Sequence, residues 1–163
     1  MAEAINTTKV TGRRELHFSS VEDIRADVEK LAADANLHTL GNWSAGQIFQ
    51  HLAVSFNSCM DGFGFAIPWH MRFVAKFFRS RILQGRMGPG FNLPKDAAEK
   101  LLPPPTSLQD GLQNIRHALD RLKTETQRVP SPFLGVLTHE EWNQIHCRHS
   151  ELHLSFIVPE KSG

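Results

Sequence analysis

The sequence predicts an all-α protein, more specifically a four-helix bundle with a long crossover between its second and third helices. Four segments carry apolar residues at helical spacing, and each follows a residue pair that can cap a helix. Segments with the alternating pattern of strands are scarce. Packed helices are therefore the simplest way to bury the apolar faces.

The start of each long helix is marked by a Ser or Thr with Glu, Gln or Asp three residues later. Such a pair can satisfy free backbone N–H groups in the first helical turn. The pairs are Ser19 with Glu22, Ser44 with Gln47, Ser107 with Asp110, and Thr138 with Glu141. The apolar patterns that follow them predict helices over 21–34, 45–63, 108–127 and 139–158.

The connection between the second and third helices, about residues 64–106, is much longer than the others. It contains a basic and aromatic segment at 68–85, which we predict to be helical, and a segment at 95–102, for which we predict a short turn. A structureless connection of this length would be unusual in a compact domain. Because 163 residues suffice for one ordinary core, we expect a single domain over 1–163.

Composition limits the classes of partner. The chain has 18 Lys and Arg residues against 17 acidic ones, so its net charge gives no reason to expect nucleic acid. No apolar run approaches the ~20 residues of a membrane span, and the first residues lack an export pattern. We therefore expect a cytoplasmic protein in which Cys59 and Cys147 are free thiols.

The basic aromatic segment at 68–85 allows more than one arrangement. Such a segment could lie on a membrane surface, or it could pack its aromatic side chains on the bundle or on a second subunit. We favour packing on the bundle or on a second subunit and expect no membrane partner. A homodimer remains open.

Three of the nine histidines lie close together on the predicted fourth helix: His146, His149 and His153. At about 100° per residue, they share a stripe with Trp142 and Phe156, which is the stripe expected to be buried. Each unpaired buried polar group costs about 1–3 kcal/mol. Three imidazoles on one buried stripe therefore need partners.

A metal ion is one such partner. His149 and His153 are four residues apart, about one turn, so both rings can reach one cation. The second helix can supply a third ligand, because His51 lies at the border of its apolar line. A site made of these three histidines would keep open coordination positions, as catalytic metal sites do.

His146 lies too far from His153 for all three fourth-helix histidines to bind one ion without distortion. As a candidate catalytic residue it could orient a ligand or shuttle a proton, although a hydrogen bond in the core would explain it equally well. The same alternative holds for the whole group, whose members could be core histidines bonded to backbone, carboxylates or water.

Residues 42–53, NWSAGQIFQHLA, and 148–156, RHSELHLSF, resemble the DinB/YfiT-like superfamily. There a Trp-Ser pair precedes a helix with a metal-binding histidine, and the last helix carries two histidines four residues apart. The resemblance covers most of the chain and is closest to an uncharacterised branch. It implies a four-helix bundle that binds a divalent metal through His51, His149 and His153.

The resemblance also implies a class of activity. Characterised members include thiol S-transferases and an isomerase that depends on low-molecular-weight thiols. We therefore expect a metal-dependent enzyme with a small-molecule substrate and a low-molecular-weight thiol as candidate cofactor. Imidazole ligands suit several metals, among which we favour zinc and nickel and keep iron open.

Two other functions remain open. A hydrolase would use the same ion with water in place of the thiol. The polar residues of the fourth helix, including Arg148 and Glu151, fall mainly opposite the histidines, so no carboxylate is clearly placed as a general base. This weakly favours the thiol. Alternatively, a non-enzymatic protein would use the metal as a stabiliser or sensor.

Overall fold

Helices dominate the computed structural model, which describes residues 4–34, 36–90 and 93–159. Within these residues the α-helices are α1 (Val21–Ala32), α2 (Ala45–Asp61), α3 (Trp69–Phe77), α4 (Arg79–Gln84), α5 (Lys95–Leu101), α6 (Leu108–Thr124) and α7 (His139–Leu154). Two short strands, β1 (Leu37–Thr39) and β2 (Ile157–Pro159), pair antiparallel, and a 3-10 helix covers Thr7–Lys9. The prediction of an all-α protein is confirmed.

The four long helices begin close to the predicted residues. Ser44, Ser107 and Thr138 each accept a hydrogen bond from the backbone N–H three residues later, as expected of N-caps. The predicted start of α1 at Val21 is confirmed, but the predicted capping pair was off by one residue, because Ser20 and Asp23 form the capping box. The cause is local: the Asp23 carboxylate accepts the backbone N–H groups of both preceding serines.

The predicted fourth helix was too long. It ends at Leu154, and the β-branched pair Ile157 and Val158 continues as strand β2 against β1. The helix predicted over 68–85 is likewise two helices, since the backbone at Phe78 leaves helical geometry with φ −97° and ψ 13°. The other long helices end slightly early, at Ala32, Asp61 and Thr124.

The four long helices pack on one another. Helix α2 contacts α6 and α7, and α1 contacts the same two helices. Their apolar faces form one cluster of buried side chains, in which Ile24, Phe49, Phe56, Ile115 and Leu154 are completely buried. This packing places α2 beside α7, the two helices that carry the candidate histidines.

Two glycines let α2 and α6 approach closely. A Cβ atom on Gly111 would overlap the backbone of Gly46, and a Cβ atom on Gly46 would overlap the carbonyl oxygens of Thr106 and Ser107. The obstacles are backbone atoms, which cannot rotate away. Both positions therefore require glycine for steric reasons.

Replacing Gly111 by alanine is expected to destabilise the protein by about 1–3 kcal/mol, because the added methyl group forces α2 and α6 apart. In an open helix the same change would stabilise by about 1 kcal/mol, so the sign of the effect is diagnostic. Urea unfolding measures it. Gly88→Ala is the control, since a Cβ there meets nothing within 4 Å, and a stabilised Gly111→Ala protein would contradict the close packing.

Both cysteines are buried and free, as predicted. Burial raises the pKa of the Cys59 thiol to about 11, and burial likewise raises the pKa of the Cys147 thiol to about 11. Neither thiol is therefore an effective nucleophile at neutral pH.

Helix α7 is buried even on the side predicted to be polar. Arg148 and Glu151 are only 9% and 8% exposed and form an ion pair of 2.8 Å. Arg148 donates to the Phe18 carbonyl oxygen, and the Phe18 N–H donates to Glu151 at 2.6 Å. Arg13 similarly donates to Ser155 at 2.7 Å. The segment before α1 thus covers this side of α7.

The crossover contacts the protein's own helices through α4. This helix packs on α7, with an Arg79–Glu141 ion pair of 2.6 Å and a buried Leu83. Helix α3 instead leaves Trp69 and Phe77 exposed, at 79% and 74%. No helix among the described residues has the length and apolar character needed to cross a membrane.

Candidate metal centre

Three of the four histidines singled out in the sequence meet between α2 and α7. His51 on α2 and His149 and His153 on α7 each offer a ring nitrogen, and these atoms all lie within 4.8 Å of one another. The ring centroids are 4.4 to 5.0 Å apart. His51 is buried, and the other two are partly buried. The group could hold a metal ion.

Two of the imidazoles, those of His51 and His149, have partners at Nδ1 that orient the rings. His51 Nδ1 lies 2.8 Å from the Leu101 carbonyl oxygen of α5. Because a carbonyl only accepts, His51 carries its proton on Nδ1 and presents a lone pair at Nε2. His149 Nδ1 lies 3.3 Å from the Ser55 hydroxyl. Outer hydrogen bonds of this kind orient histidine ligands in metal sites.

The Nε2 atoms of these two rings are separated by a distance that suits binding to one shared ion. His51 Nε2 and His149 Nε2 are 3.1 Å apart. Ligand nitrogens about 2.0–2.1 Å from a tetrahedral zinc ion lie about 3.3 Å from each other. If His149 donates from Nδ1 to Ser55, both Nε2 atoms present lone pairs, which repel each other unless a cation lies between them. The other His149 tautomer would instead form a direct hydrogen bond between the rings.

Trp43 holds the third ring. Its indole stacks on His153, with centroids 5.5 Å apart and planes 14° from parallel, and its centroid is 5.0 Å from that of His51. Trp43 directly precedes Ser44, the N-cap of α2. The residue before the N-cap of α2 therefore places an indole ring beside the histidine group.

Enclosure keeps the imidazoles neutral. Burial holds the pKa values of His149 and His153 well below the usual range. The positive charge that the neighbouring histidines would carry if protonated is a second and smaller cause. Burial also lowers the pKa of His51, against a smaller opposing effect of its bond to Leu101. Neutral imidazole is the form that binds a metal.

The group borders a cavity of about 1010 Å³. Most of the lining is aromatic or aliphatic and comes from α2, α3, α4, α7 and the segments that connect the helices, with Phe63, Met71, Phe78, Trp142 and Phe156 as examples. No Asp or Glu of the described residues lines the cavity. A large apolar pocket with a few convergent polar groups is the usual form of a small-molecule site.

The structure places His146 outside this group. Its ring stacks on Trp142 at 5.5 Å and meets Phe56 edge-on at 5.0 Å, and its Nε2 lies 3.5 Å from the Cys59 sulfur. It is 1% exposed and does not line the cavity. Burial lowers the pKa of His146 to about 3. These are the surroundings of a core residue.

Sequence reasoning missed the residues that orient the histidines. Ser55 follows His51 by one turn, so helical spacing could have found it. The Leu101 carbonyl could not be found, because a backbone acceptor has no side-chain signal. Trp43 lies in the segment that resembles the DinB/YfiT-like superfamily, but nothing in its spacing indicated that it would stack on His153.

Fold and site together define an all-α protein with a three-histidine group that could hold a metal ion. Within that class, the chain belongs to the family described as "Protein of unknown function (DUF1569)", whose model matches residues 10–160. This supports the prediction of an uncharacterised family. Comparisons with curated proteins and with solved structures find no match.

Proposed function

We propose that the protein is a metal-dependent enzyme with a DinB-like four-helix bundle, in which His51, His149 and His153 hold one divalent ion that activates a low-molecular-weight thiol. The observation that carries this proposal is the convergence of three neutral imidazoles from two helices beside a large apolar cavity. The packing of α1 and α2 on α6 and α7 supports the bundle, as does the resemblance of the two histidine-bearing segments.

The ion, when bound, would lower the pKa of a coordinated thiol or water and so supply a nucleophile at neutral pH. Three protein ligands leave a coordination position for that nucleophile. The chain's own residues hold the ligands in place: Leu101 and Ser55 fix two rings, and Trp43 supports the third. His146 does not line the cavity, so we assign it no contact with the nucleophile.

The cavity lining favours a thiol over water. A hydrolase commonly needs a general base near its nucleophile, but no described carboxylate lines the cavity, and Glu151 is bound to Arg148. A coordinated thiol is already deprotonated and needs no such base. Zinc and nickel remain the favoured ions for this ligand set, with iron open.

Metal content tests the proposed ligands. Protein purified without a histidine tag should carry about one divalent ion per chain, and His51→Ala or His149→Ala should remove it, because two remaining imidazoles bind weakly. Plasma mass spectrometry after dialysis provides the measurement. His117→Ala, which removes an exposed histidine, is the matched control. Unchanged metal content in both site variants would overturn the assignment.

Cobalt substitution separates an enzyme from a structural metal site. Adding a low-molecular-weight thiol to the cobalt protein should shift its visible spectrum through sulfur coordination, because the ion keeps an open position. The thiol should also be consumed faster when an electrophile is present. A four-ligand spectrum that ignores added thiol would favour the non-enzymatic alternative.

A further inference from the structure

The cavity beside the histidine group carries positive charge without a compensating carboxylate. Arg81 on α4 and Arg86 just after it both line the cavity. Six other arginines form ion pairs with acidic side chains. Among the described residues, no carboxylate pairs with Arg81 or Arg86.

Arg13 adds a third cation on the side of His153. Its guanidinium lies over the Phe156 ring, 4.3 Å from the centroid, and Phe156 lines the cavity. Burial and then the charge of Arg86 lower the pKa of Arg13. Arg13 therefore adds positive charge next to a side chain of the cavity wall.

The rest of the cavity suits an apolar molecule. Its volume, about 1010 Å³, lies at the upper end of the roughly 300–1,000 Å³ typical of ligand sites. Helix α3 and its junction with α4 contribute Met71, Val74 and Phe78 to the lining. A small hydrophilic thiol alone would leave most of this apolar surface in contact with water.

We propose that the cavity binds an amphipathic organic anion, whose apolar body packs on α3 and α4 and whose carboxylate or phosphate lies at Arg81 and Arg86. Guanidinium groups match both kinds of anionic group. This inference deepens the proposed function by naming its substrate class. It rests on the proposed function only in treating the bound anion as a substrate. Binding of the anion itself requires the arginines and not the ion.

Probes of equal chain length test the preference for charge. Isothermal calorimetry below the micelle concentration compares decanoate and decyl phosphate with 1-decanol and decyltrimethylammonium. At least one anion should bind ~10-fold more tightly than decanol, and the cation should bind most weakly. Comparing the two anions identifies the head group. Equal affinities for decanol and both anions would overturn the inference.

Arginine variants locate the anionic group. The double variant Arg81→Gln/Arg86→Gln should lose the preference for the anion and still bind decanol. Arg72→Gln removes the same charge from exposed α3 outside the cavity lining and should keep the preference. Ala75→Trp, which fills part of the cavity, should weaken all the probes. An anion preference that survives in the double arginine variant would overturn the inference.

The His51→Ala variant distinguishes this inference from the proposed function. If the variant lacks metal and still prefers the anion, the arginine site stands regardless of the enzyme hypothesis. If the preference disappears with the metal, the anionic group binds the ion instead and the inference fails. The metal analysis of the wild-type protein separately decides whether the proposed function fails.

Discussion

Replacing Glu151 by alanine is expected to destabilise the protein by about 3–5 kcal/mol. Glu151 is 8% exposed, pairs with the equally buried Arg148 at 2.8 Å and accepts the Phe18 N–H at 2.6 Å. The substitution leaves a buried guanidinium without its counter-ion and a backbone N–H without its acceptor. Urea unfolding gives the change in the free energy of unfolding.

The surface pair Arg116–Glu29 provides a matched control. Its ion pair is 2.6 Å long, but the side chains are 44% and 45% exposed, so Glu29→Ala should cost less than about 1 kcal/mol. Glu151→Gln keeps an acceptor for the N–H group while removing the charge, and its effect should be intermediate. Equal losses for the two alanine variants would contradict the importance of burial.

This ion pair also bears on the candidate metal centre. Glu151 lies between His149 and His153 in sequence but on the far side of α7, where it binds the segment before α1. One side of α7 is therefore anchored by a buried ion pair while the other presents two imidazoles. Loosening the anchor should disturb the spacing of the imidazoles, which metal titration of Glu151→Gln can detect.

The parts of the fold that could be predicted from the sequence are those set by local interactions. Caps such as Ser44 and Thr138 bond to atoms three residues away, so a short pattern contains the whole interaction. Strand β2 was missed because its partner is β1, far away in sequence. The burial of Arg148 was missed for the same reason, since residues before α1 cover it.

In the candidate site, too, the features set by local spacing could be predicted from the sequence, and those set by tertiary packing could not. The one-turn spacing of His149 and His153 is visible in the sequence, and helical spacing also placed His51 at the border of the apolar line of α2, where the resemblance supported it as the third ligand. The cavity and its unpaired Arg81 and Arg86 could not be predicted, because they depend on how the crossover folds back over α7. Helical periodicity gives the side on which a residue lies, but it does not show what covers that side.

The metal-free protein is expected to lose stability as the pH falls below about 6.5. Burial lowers the pKa of His146 to about 3 and holds the pKa values of His149 and His153 well below the usual range. Between the unfolded and the folded pKa, the unfolded chain therefore binds protons that the folded chain does not. Each such histidine lowers the free energy of unfolding by up to about 1.4 kcal/mol per pH unit.

Urea unfolding between about pH 7.5 and pH 4.5 with a chelator present measures this slope. His146→Gln should make it shallower, because the amide does not titrate, whereas His117→Gln, at an exposed position, should leave it unchanged. Added zinc should stabilise the protein at pH 7, and this gain should disappear on acidification, since protons and the ion compete for the same lone pairs. A metal-free stability that is constant below pH 6.5 would mean that protons reach these rings in the folded state, which their burial should prevent.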